Sequence, residues 1–428
     1  MSEAIDKSAY GSSKISQWGV ADRQLTNAEM WISFFVMFVF GIICVYQYMM
    51  VTSILPQIVE SFGTDMSNGG MMMSVFSIIG IIIAYPCTFA MHKIGVKITL
   101  VATGVLSVLG TLICIYAGDF SILLVGRTLQ GCGFCLMSVI GPNVVPRLFP
   151  SNRVGTGMGI FAVWFPIGLM IANLSVPQLF AVGGWTIPFW TSAVAQIILV
   201  ILIITLFKLP LVPESMLAME GHGEARKISK GKLYFGAALV VGFTFIGFEI
   251  AYYSYNDFYP TFLQGQGLSI AAAALPATVG ALLNIPCGIA AGVIVDKFKC
   301  AKILTIASFL VIAACFITIT WMGEYNAALM WVSAILLAVI PWSVIPVTLR
   351  VLIPSLCPDT KKCDWALTGM TVGTTLGGFG AGFFPAIVAA MGTYHMAACV
   401  IAIVPIAMAV VFFFIPSDRK LWAERNAE

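Results

Sequence analysis

Twelve apolar runs, each long enough to cross a lipid bilayer as a helix, constrain this chain more than any other feature. One membrane-spanning helix needs about 20 predominantly apolar residues. The 428 residues are 60% hydrophobic and only 10% charged, whereas soluble domains carry about 25% charged residues. The sequence therefore predicts an all-α membrane protein with twelve transmembrane helices, and it excludes a soluble enzyme. The runs lie near residues 30–55, 69–91, 98–117, 120–146, 154–181, 186–207, 233–260, 269–294, 302–322, 327–352, 366–391 and 394–416.

A single long polar break separates six apolar runs from the other six. The first run is too long for the core of a signal peptide, so we expect an uncleaved first span. The predicted organisation is an N-terminal tail over 1–29, an N-terminal six-helix bundle over 30–207, a central loop over 208–232, a C-terminal six-helix bundle over 233–416 and a C-terminal tail over 417–428.

Basic residues are distributed unevenly between the two sides of the predicted membrane. With both termini inside, the cytoplasmic segments hold 21 of the 22 lysines and arginines, and the outside loops hold none. Lysine and arginine favour the cytoplasmic side of a membrane. We therefore expect a multi-pass protein of the cell membrane, the bacterial inner membrane, with both tails and the central loop in the cytoplasm. The net charge of +3 is too small to favour nucleic acid, so lipid is the expected surrounding.

The two halves of the chain share landmarks at a constant offset. Pro56 and Pro260, near the ends of the first and seventh runs, are 204 residues apart. Leu148–Pro150 and Leu352–Pro354 keep the same offset. Duplicated six-helix halves are typical of transporters, whose substrate site lies near the bilayer midplane between the repeats. The sequence therefore predicts two pseudo-symmetric bundles.

The fourth run carries the most specific motif of the chain. It reads Leu123-x-x-x-Arg127-x-x-Gln130-Gly131-x-Gly133. This pattern is similar to the Arg-x-x-Gln-Gly-x-Gly motif of the major facilitator superfamily, and the resemblance extends over nearly the whole chain. The resemblance implies transport by alternating access, with spans 1, 4, 7 and 10 lining the substrate cavity.

A second family motif follows spans 2 and 8. In the family it reads Gly-x-x-x-Asp-Arg-x-Gly-Arg-Arg, and its acid is implied to hold one of the two transport states closed. The first copy here has His92 in place of the acid, whereas the second copy keeps Asp296 but has Lys299 in place of the later glycine. We therefore expect the latch mainly at Asp296. The implied latch residues are Asp296, Lys297, Lys93 and Gly95.

Two charged residues fall well inside predicted spans. Arg127 lies in the fourth run and Glu249 in the seventh. A charge inside a span costs about 2.5–3.5 kcal/mol on insertion scales, so it usually faces a water-filled cavity or a partner. For Arg127, contact with an anionic substrate and a structural tie between spans are both open interpretations. For Glu249 we favour the site of the coupling proton, and the alternative is a buried structural acid.

Polar and aromatic side chains of the expected cavity spans are further substrate-binding candidates. Helical spacing places Tyr252 and Asn256 on the same face as Glu249, and the repeat offset maps Tyr252 onto Tyr48. Gln130 follows from the motif of the fourth span, and Trp342 is a candidate cavity wall in the tenth. The alternative for the tyrosines is an aromatic belt at the membrane interface, and for Trp342 it is ordinary packing.

Three small-residue faces predict close approach between helices. The clearest is Gly288-x-x-x-Gly292 in the eighth run, and the others lie at 155–159 and 378–382. Sliding contact between the halves and packing within one half are both compatible with this pattern.

No pattern in the sequence favours catalysis. There is no phosphate-binding loop, the three histidines are scattered, and Cys132 and Cys135 lie within an apolar run, where packing is the preferred interpretation. We therefore expect no enzyme activity, no cofactor and no metal. The favoured function is proton-coupled uptake of a small organic anion by a monomeric secondary transporter. The exporter motif is only partly present, at 165–168. Drug or metabolite efflux, and a transport-like receptor or scaffold, are the alternatives.

Overall fold

The structure, a computed structural model, describes residues 17–21, 23–150, 153–210, 234–321, 326–357, 360–417 and 420. These described residues contain twelve helices that are long and apolar enough to cross a membrane. The predicted all-α membrane fold with twelve transmembrane helices is therefore confirmed. The central loop lies almost wholly outside the described residues.

The spans are numbered 1 to 12 in chain order. Spans 1 and 5 each consist of two consecutive helices. The helices of spans 1 to 6 are Asn27–Met49 and Leu55–Ser61 (span 1), Met66–Lys93 (span 2), Val96–Ile115 (span 3), Phe120–Leu148 (span 4), Val154–Ala162 and Trp164–Gly183 (span 5) and Thr186–Leu206 (span 6).

Spans 7 to 12 include two further interrupted helices. A π-helical segment divides span 10, and a short break divides span 11. The bounds are Phe235–Gly265 (span 7), Ile270–Phe298 (span 8), Ala301–Trp321 (span 9), Ala327–Leu337, Ala338–Trp342 and Ser343–Leu356 (span 10), Thr360–Ala381 and Phe384–Met391 (span 11) and Tyr394–Phe414 (span 12).

Side-chain caps begin several of these helices. At span 1, the Thr26 hydroxyl accepts a hydrogen bond from the Glu29 backbone N–H, and the Glu29 carboxylate accepts one from the Thr26 N–H. The Asp119 carboxylate caps span 4 by accepting from the Ile122 N–H, and Ser269 caps span 8 in the same way. Such caps satisfy backbone donors that have no partner inside the helix, each with a contribution of about 1 kcal/mol.

The interruptions of spans 1 and 10 lie within continuous apolar runs, so the sequence alone does not reveal them. In span 1 the α-helix ends at Met49, and a 3₁₀ turn, Thr52–Ile54, precedes the next helix. In span 10 the π-helical turn Ala338–Trp342 contains Pro341. Single π-turns inside α-helices occur frequently at functional sites. Both interruptions leave backbone carbonyl groups that need partners elsewhere.

The expectation that Pro260 ends span 7 is wrong. The helix continues through this proline to Gly265. A helix that stopped in lipid would expose unpaired backbone groups, and proline is tolerated in membrane helices where neighbouring segments satisfy the freed carbonyl. As a result, Glu249 lies at the middle of a 31-residue helix rather than towards one end.

The first compact part of the chain, unit 1, comprises residues 1–51, 75–172 and 179–225. Within unit 1, span 4 packs against spans 1 and 3, and span 6 packs against the same two spans. Arg127 and Tyr48 are the two largest fully buried side chains of the described residues. The interior of unit 1 therefore contains a buried cation.

The second compact part, unit 2, comprises residues 52–74, 173–178 and 226–428. Within it, span 7 packs along span 11 and span 9 along span 12. Gln57 Nε2 donates to Gln264 Oε1 over 2.8 Å, and Gln264 Nε2 donates to the Ser53 carbonyl over 2.8 Å. Hydrogen bonds of span 7 thus hold the segment 52–74 within unit 2. The chain leaves unit 1 inside the interruption of span 1.

Candidate functional site

The guanidinium of Arg127 is surrounded by oxygen acceptors inside unit 1. The side chain is fully buried. Its Nη1 donates to the Gln47 carbonyl over 2.7 Å and to Gln130 Oε1 over 2.9 Å, and its Nη2 donates to the Tyr48 carbonyl over 3.4 Å. The ring centroid of Phe76 lies 4.5 Å from the guanidinium carbon. The two terminal nitrogens of Arg127 therefore donate hydrogen bonds to protein groups of unit 1.

These contacts cap the C-terminal end of the first helix of span 1. The last four carbonyl groups of an α-helix have no partner within the helix. The Tyr46 carbonyl accepts from the Met50 N–H, and those of Gln47 and Tyr48 accept from Arg127. A cation at this position also interacts favourably with the helix dipole, with a contribution of up to about 2 kcal/mol when partly buried.

Span 3 completes a polar network around Arg127. Gln130 Nε2 donates to Thr111 Oγ1 over 2.9 Å, and Gln47 Nε2 donates to the same oxygen over 3.0 Å. The Ser107 hydroxyl in turn donates to Gln47 Oε1. We call these five residues, Arg127, Gln47, Gln130, Thr111 and Ser107, the Arg127 network. It joins spans 1, 3 and 4.

Tyr48 lies beside this network but is packed as an aromatic side chain. It is 1% exposed. Its ring centroid lies 4.8 Å from that of Phe76 and 5.6 Å from that of Phe134. The structure thus brings Tyr48, Gln130 and Arg127 together in the interior of unit 1.

Glu249 occupies a different kind of environment in unit 2. The residue is 7% exposed. The Thr374 hydroxyl of span 11 donates to Glu249 Oε1 over 3.1 Å. A Cβ atom on Gly377 would collide with that of Glu249. Glycine at position 377 therefore permits the close approach of spans 7 and 11 at the acid.

The remaining candidates of unit 2 are Tyr252 and Asn256, about one and two helical turns after Glu249 in span 7, and Trp342 of span 10. Asn256 Nδ2 donates to the carbonyl of Tyr252 over 2.8 Å. The ring centroids of Tyr252 and Trp342 are 5.1 Å apart, and those of Tyr255 and Trp342 are 4.8 Å apart. Trp342 belongs to the π-helical turn of span 10. The candidates Tyr252 and Trp342 are therefore in contact.

The expected latch is only partly covered by the described residues. Asp296 lies within the helix of span 8, but its side chain and that of His92 are outside the description. Lys93 and Lys297 are exposed, and the Lys297 ammonium lies 5.5 Å from the Phe298 ring. Gly95 has a φ of 94°, and Lys299, which is 204 residues later, has a φ of 46°. The two repeats thus share a positive φ at matching positions.

Sequence reasoning missed Gln47, Thr111, Ser107 and Thr374. Ser107 and Thr111 are four residues apart, so they lie on one face of span 3. Gln47 is an amide within an apolar run. Both patterns could have indicated a buried polar network facing span 4. Thr374 is 125 residues from Glu249 in sequence, and no local pattern connects the two.

Twelve apolar helices identify a multi-pass membrane protein, and its buried polar groups are of the kind found in solute carriers. The chain belongs to the Major Facilitator Superfamily, whose family model matches residues 33–362. It is therefore a transporter rather than an enzyme, as the sequence motifs indicate.

Comparisons with known proteins give relatives that match over part of their length. An uncharacterized MFS-type transporter, YhcA of Bacillus subtilis, is 25% identical over 137 residues, which are 32% of this chain and 24% of the relative. A probable sugar efflux transporter of Haemophilus influenzae (strain PittGG) is 23% identical over 154 residues, 36% of this chain and 39% of the relative. Sugar transport protein 10 of Arabidopsis thaliana is 28% identical over 141 residues, 32% and 27% of the two chains. The matched segments thus span less than half of each relative.

Solved structures match over most of the chain. A bacterial homolog of the human lysosomal transporter Spinster, in an inward-facing and unoccupied conformation, aligns with a TM-score of 0.72 and 13% identity over 94% of this chain and 99% of the other. A D-xylose–proton symporter aligns with a TM-score of 0.71 and 15% identity over 91% and 99%. At this identity, the likeness shows the fold.

Proposed function

We propose that this transporter takes up a small solute together with protons and that Glu249 carries the coupled proton; the expected solute is an organic anion if Arg127 contacts it. The observation that carries the proposal is the environment of Glu249. The acid is buried at the middle of span 7, and the Thr374 hydroxyl is its hydrogen-bond donor among the described residues. Burial of an ionised carboxylate is costly unless the charge is paired and hydrogen-bonded. A group in this position changes its protonation when water reaches or leaves it.

Arg127 is proposed as a positioning residue rather than the binding site of the anion. Its two terminal nitrogens donate to two helix-end carbonyls and one amide oxygen. A substrate carboxylate would have to displace these acceptors, and each buried group left without a partner costs about 1–3 kcal/mol. Contact between Arg127 and an anionic substrate stays the alternative prediction.

For the substrate itself, we propose that Tyr252, Asn256 and Trp342 contribute contacts in unit 2. Trp342 and Tyr252 are in ring contact, and Asn256 lies one turn from Tyr252. The Nε1 atom of Trp342 is buried without a hydrogen-bond partner among the described residues. A buried donor without an acceptor favours a ligand oxygen at that point.

Transport by reconstituted vesicles tests the proton assignment. We expect Glu249→Gln to retain substrate exchange between the two sides of the membrane in the absence of a gradient. The same variant should lose accumulation driven by a pH gradient, because glutamine cannot release a proton. A panel of carboxylates and neutral sugars, each labelled, supplies the substrates.

The matched control is Glu60→Gln, which removes an exposed carboxylate of the same unit. It should accumulate substrate like the unmodified chain. Normal accumulation by Glu249→Gln under a pH gradient would show that Glu249 is not the coupling site. Loss of exchange as well as accumulation would assign Glu249 to substrate binding or to folding instead.

Proton-coupled sugar transport is the second candidate. The names of the Haemophilus influenzae and Arabidopsis thaliana relatives support it. Preference for sugars over carboxylates in the same panel, with the same effect of Glu249→Gln, would favour this candidate. In inverted membrane vesicles, accumulation of the solute inside the vesicle against its concentration gradient would favour efflux over uptake.

We also propose that both termini are cytoplasmic in a bacterial inner membrane, that the two six-helix bundles are the moving bodies and that the transporter is a monomer. The distribution of 21 of 22 basic residues supports the orientation. Fluorescent-protein fusions to either terminus should fluoresce, because the cytoplasm permits their folding. Alkaline phosphatase fused to the same points should be inactive, and an active fusion would reverse the orientation.

A further inference from the structure

Arg350 of span 10 is an arginine inside a membrane-spanning helix, and its side chain has no acceptor among the described residues. It belongs to the helix Ser343–Leu356 and to the apolar stretch Ala327–Ile353 that is able to cross the membrane. The residue is exposed, and no hydrogen bond or ion pair joins its side chain to another part of the described chain. A charge inside a span usually faces a water-filled cavity or a partner. The guanidinium of Arg350 is therefore open to a ligand.

Two other cations in the described spans are engaged by helix-end carbonyls. Arg127 is fully buried in unit 1 and donates to two carbonyls at the end of the first helix of span 1. Lys302 in unit 2 donates from Nζ to two carbonyls at the end of span 12, over 3.0 and 2.6 Å. Both cations thus cap a helix. Arg350 differs from them because its donors are not used in this way, and the matching position of the first repeat is Pro146.

The face of span 10 that carries Arg350 is left partly open by the neighbouring helices of unit 2. Two residues before Arg350, the hydroxyl of Thr348 accepts a hydrogen bond from Thr305 of span 9 over 2.7 Å and is fully buried. Pro346 and Val347 lie one turn before Arg350 on its own face, and both are half-buried. Arg350 therefore lies on the less covered side of the helix, away from span 9.

Along the bundle, Arg350 lies within reach of a small solute that contacts Glu249. The rings of Tyr252 and Trp342 are in contact. Glu249 precedes Tyr252 by about 4.5 Å along span 7, and Arg350 follows Trp342 by about 12 Å along span 10. Both lie towards the end of the bundle where the N-cap residue of span 7 donates its backbone N–H to the last carbonyl of the span 10 helix over 3.1 Å. The difference in level is about 7.5 Å from the ring contact and about 13.5 Å from this shared end.

We propose that Arg350 binds the anionic group of the solute and that the solute is a monocarboxylate. The forked donors of a guanidinium match the two oxygens of a planar carboxylate. One open cation balances one negative charge, and a protonated Glu249 is neutral, so these two groups and the solute together carry no net charge. A second carboxylate on the solute would be buried without a counter-charge at a large cost. This inference rests on the proposed proton-coupled uptake and names its substrate class.

Equilibrium binding to the purified full chain tests this contact without a proton gradient. The probes are acetate, lactate and benzoate, each paired with its uncharged amide, and the readout is the rise in thermal unfolding temperature with probe concentration. We expect at least one carboxylate to bind and its amide to bind about tenfold more weakly or less. Arg350→Gln should weaken binding of that carboxylate by about tenfold or more, and Arg350→Lys should lose less because it keeps the charge.

The matched control is Arg153→Gln, which removes an exposed arginine of unit 1 and should bind the carboxylate like the unmodified chain. Phenylglyoxal, which modifies accessible guanidinium groups, supplies a second readout on the unmodified chain. Mass spectrometry of the peptides should show that Arg350 is modified and that the fully buried Arg127 is spared. The bound carboxylate should slow modification of Arg350 and leave that of Arg153 unchanged.

Equal affinity for the carboxylate in Arg350→Gln and in the unmodified chain would overturn the proposal, as would failure of all three carboxylates to bind. A large drop in the unfolding temperature of Arg350→Gln without ligand would also overturn it, because Arg350 would then have a structural partner. Carboxylate binding that depends on Arg350, together with normal proton-driven accumulation by Glu249→Gln, would support the role of Arg350 and contradict only the assignment of the proton.

Discussion

In unit 1 the buried guanidinium of Arg127 donates to three oxygen acceptors and lies against a ring face, whereas in unit 2 the buried carboxyl group of Glu249 accepts from one hydroxyl donor among the described residues. Both side chains lie inside membrane-spanning helices. Their environments differ in the number of hydrogen bonds to described groups, which is three for Arg127 and one for Glu249.

This difference suggests opposite roles for the two charges. A guanidinium cannot lose its proton in a protein, and Arg127 is fixed by the end of a helix. A carboxyl group can lose or gain a proton, and among the described residues Glu249 accepts one side-chain hydrogen bond, from Thr374. Several hydrogen bonds to fixed groups favour a positioning role, and a single hydrogen bond favours a change of state during transport.

Replacement of Arg127 is expected to have the largest effect. Arg127→Ala leaves the carbonyls of Gln47 and Tyr48 without their donor, and two such buried groups cost about 2–6 kcal/mol together. We expect a large drop in the thermal unfolding temperature, measured in detergent, and loss of transport. Arg127→Lys should lose less, because it keeps the charge but not the forked donors.

Arg153→Ala is the control, since this exposed arginine lies in the same unit and its removal should change stability by about 0.5 kcal/mol at most. If Arg127→Ala unfolds at the temperature of the unmodified chain and fails to bind substrate, the substrate-contact alternative is correct and the contrast between the two charges disappears.

Removal of the hydrogen-bond donor to Glu249 tests the proposed role of this acid in proton coupling. Thr374→Val deletes the hydroxyl but keeps the shape of the side chain. A hydrogen bond to a charged group is worth about 1.5–3 kcal/mol, so we expect about a tenfold or greater fall in proton-driven accumulation. Thr374→Ser should retain activity, and Thr318→Val, at an exposed position of span 9, should have no effect. Unchanged accumulation in Thr374→Val would show that the hydrogen bond between Thr374 and Glu249 is not needed for proton coupling.

The matching turns at Gly95 and Lys299 provide a third comparison between the repeats. Gly95 has φ 94° and ψ 155°, a region that is essentially restricted to glycine and costs other residues about 1–3 kcal/mol. Gly95→Ala should therefore lower the unfolding temperature. Lys299 has φ 46° and ψ 54°, so Lys299→Gly should stabilise slightly, by less than about 1 kcal/mol. Equal changes in unfolding temperature for the two substitutions would contradict the difference in backbone conformation between Gly95 and Lys299.

Replacement of the latch acid is expected to have the smallest effect on free energy. The expected latch interaction joins this carboxylate to the N-terminus of a neighbouring helix, and such an interaction contributes about 0.3–1 kcal/mol. Asp296→Asn should lower the transport rate and leave equilibrium binding of substrate within a few-fold, as measured by calorimetry. His92→Asp, which places an acid at the matching position of the first repeat, should shift the ratio of states in its own right. A large loss of binding in Asp296→Asn with normal state populations would contradict the latch.

Much of the fold follows from local properties of the sequence. Each apolar run predicts a helix because lipid supplies no hydrogen-bond partners, so the backbone must satisfy itself within the segment. The repeat offset of 204 residues also relates Gly95 to Lys299, and both have a positive φ. The small-residue face at Gly288 and Gly292 predicts a close approach that the structure does not show, since a Cβ at either position would meet its nearest atom at 3.9–4.0 Å.

By itself, the sequence determined the number of spans, their apolar character, the repeat and the presence of charges at 127 and 249. Tertiary structure alone decided the partners of those charges. The interruption of span 1 after Met49 lies within a continuous apolar run. It leaves carbonyl groups without a partner in their own helix, and Arg127 caps the helix by donating to them. Glu249 meets Thr374 because Gly377 lets span 11 approach. Such partners depend on packing between distant segments, whereas helix formation in lipid depends on each segment alone.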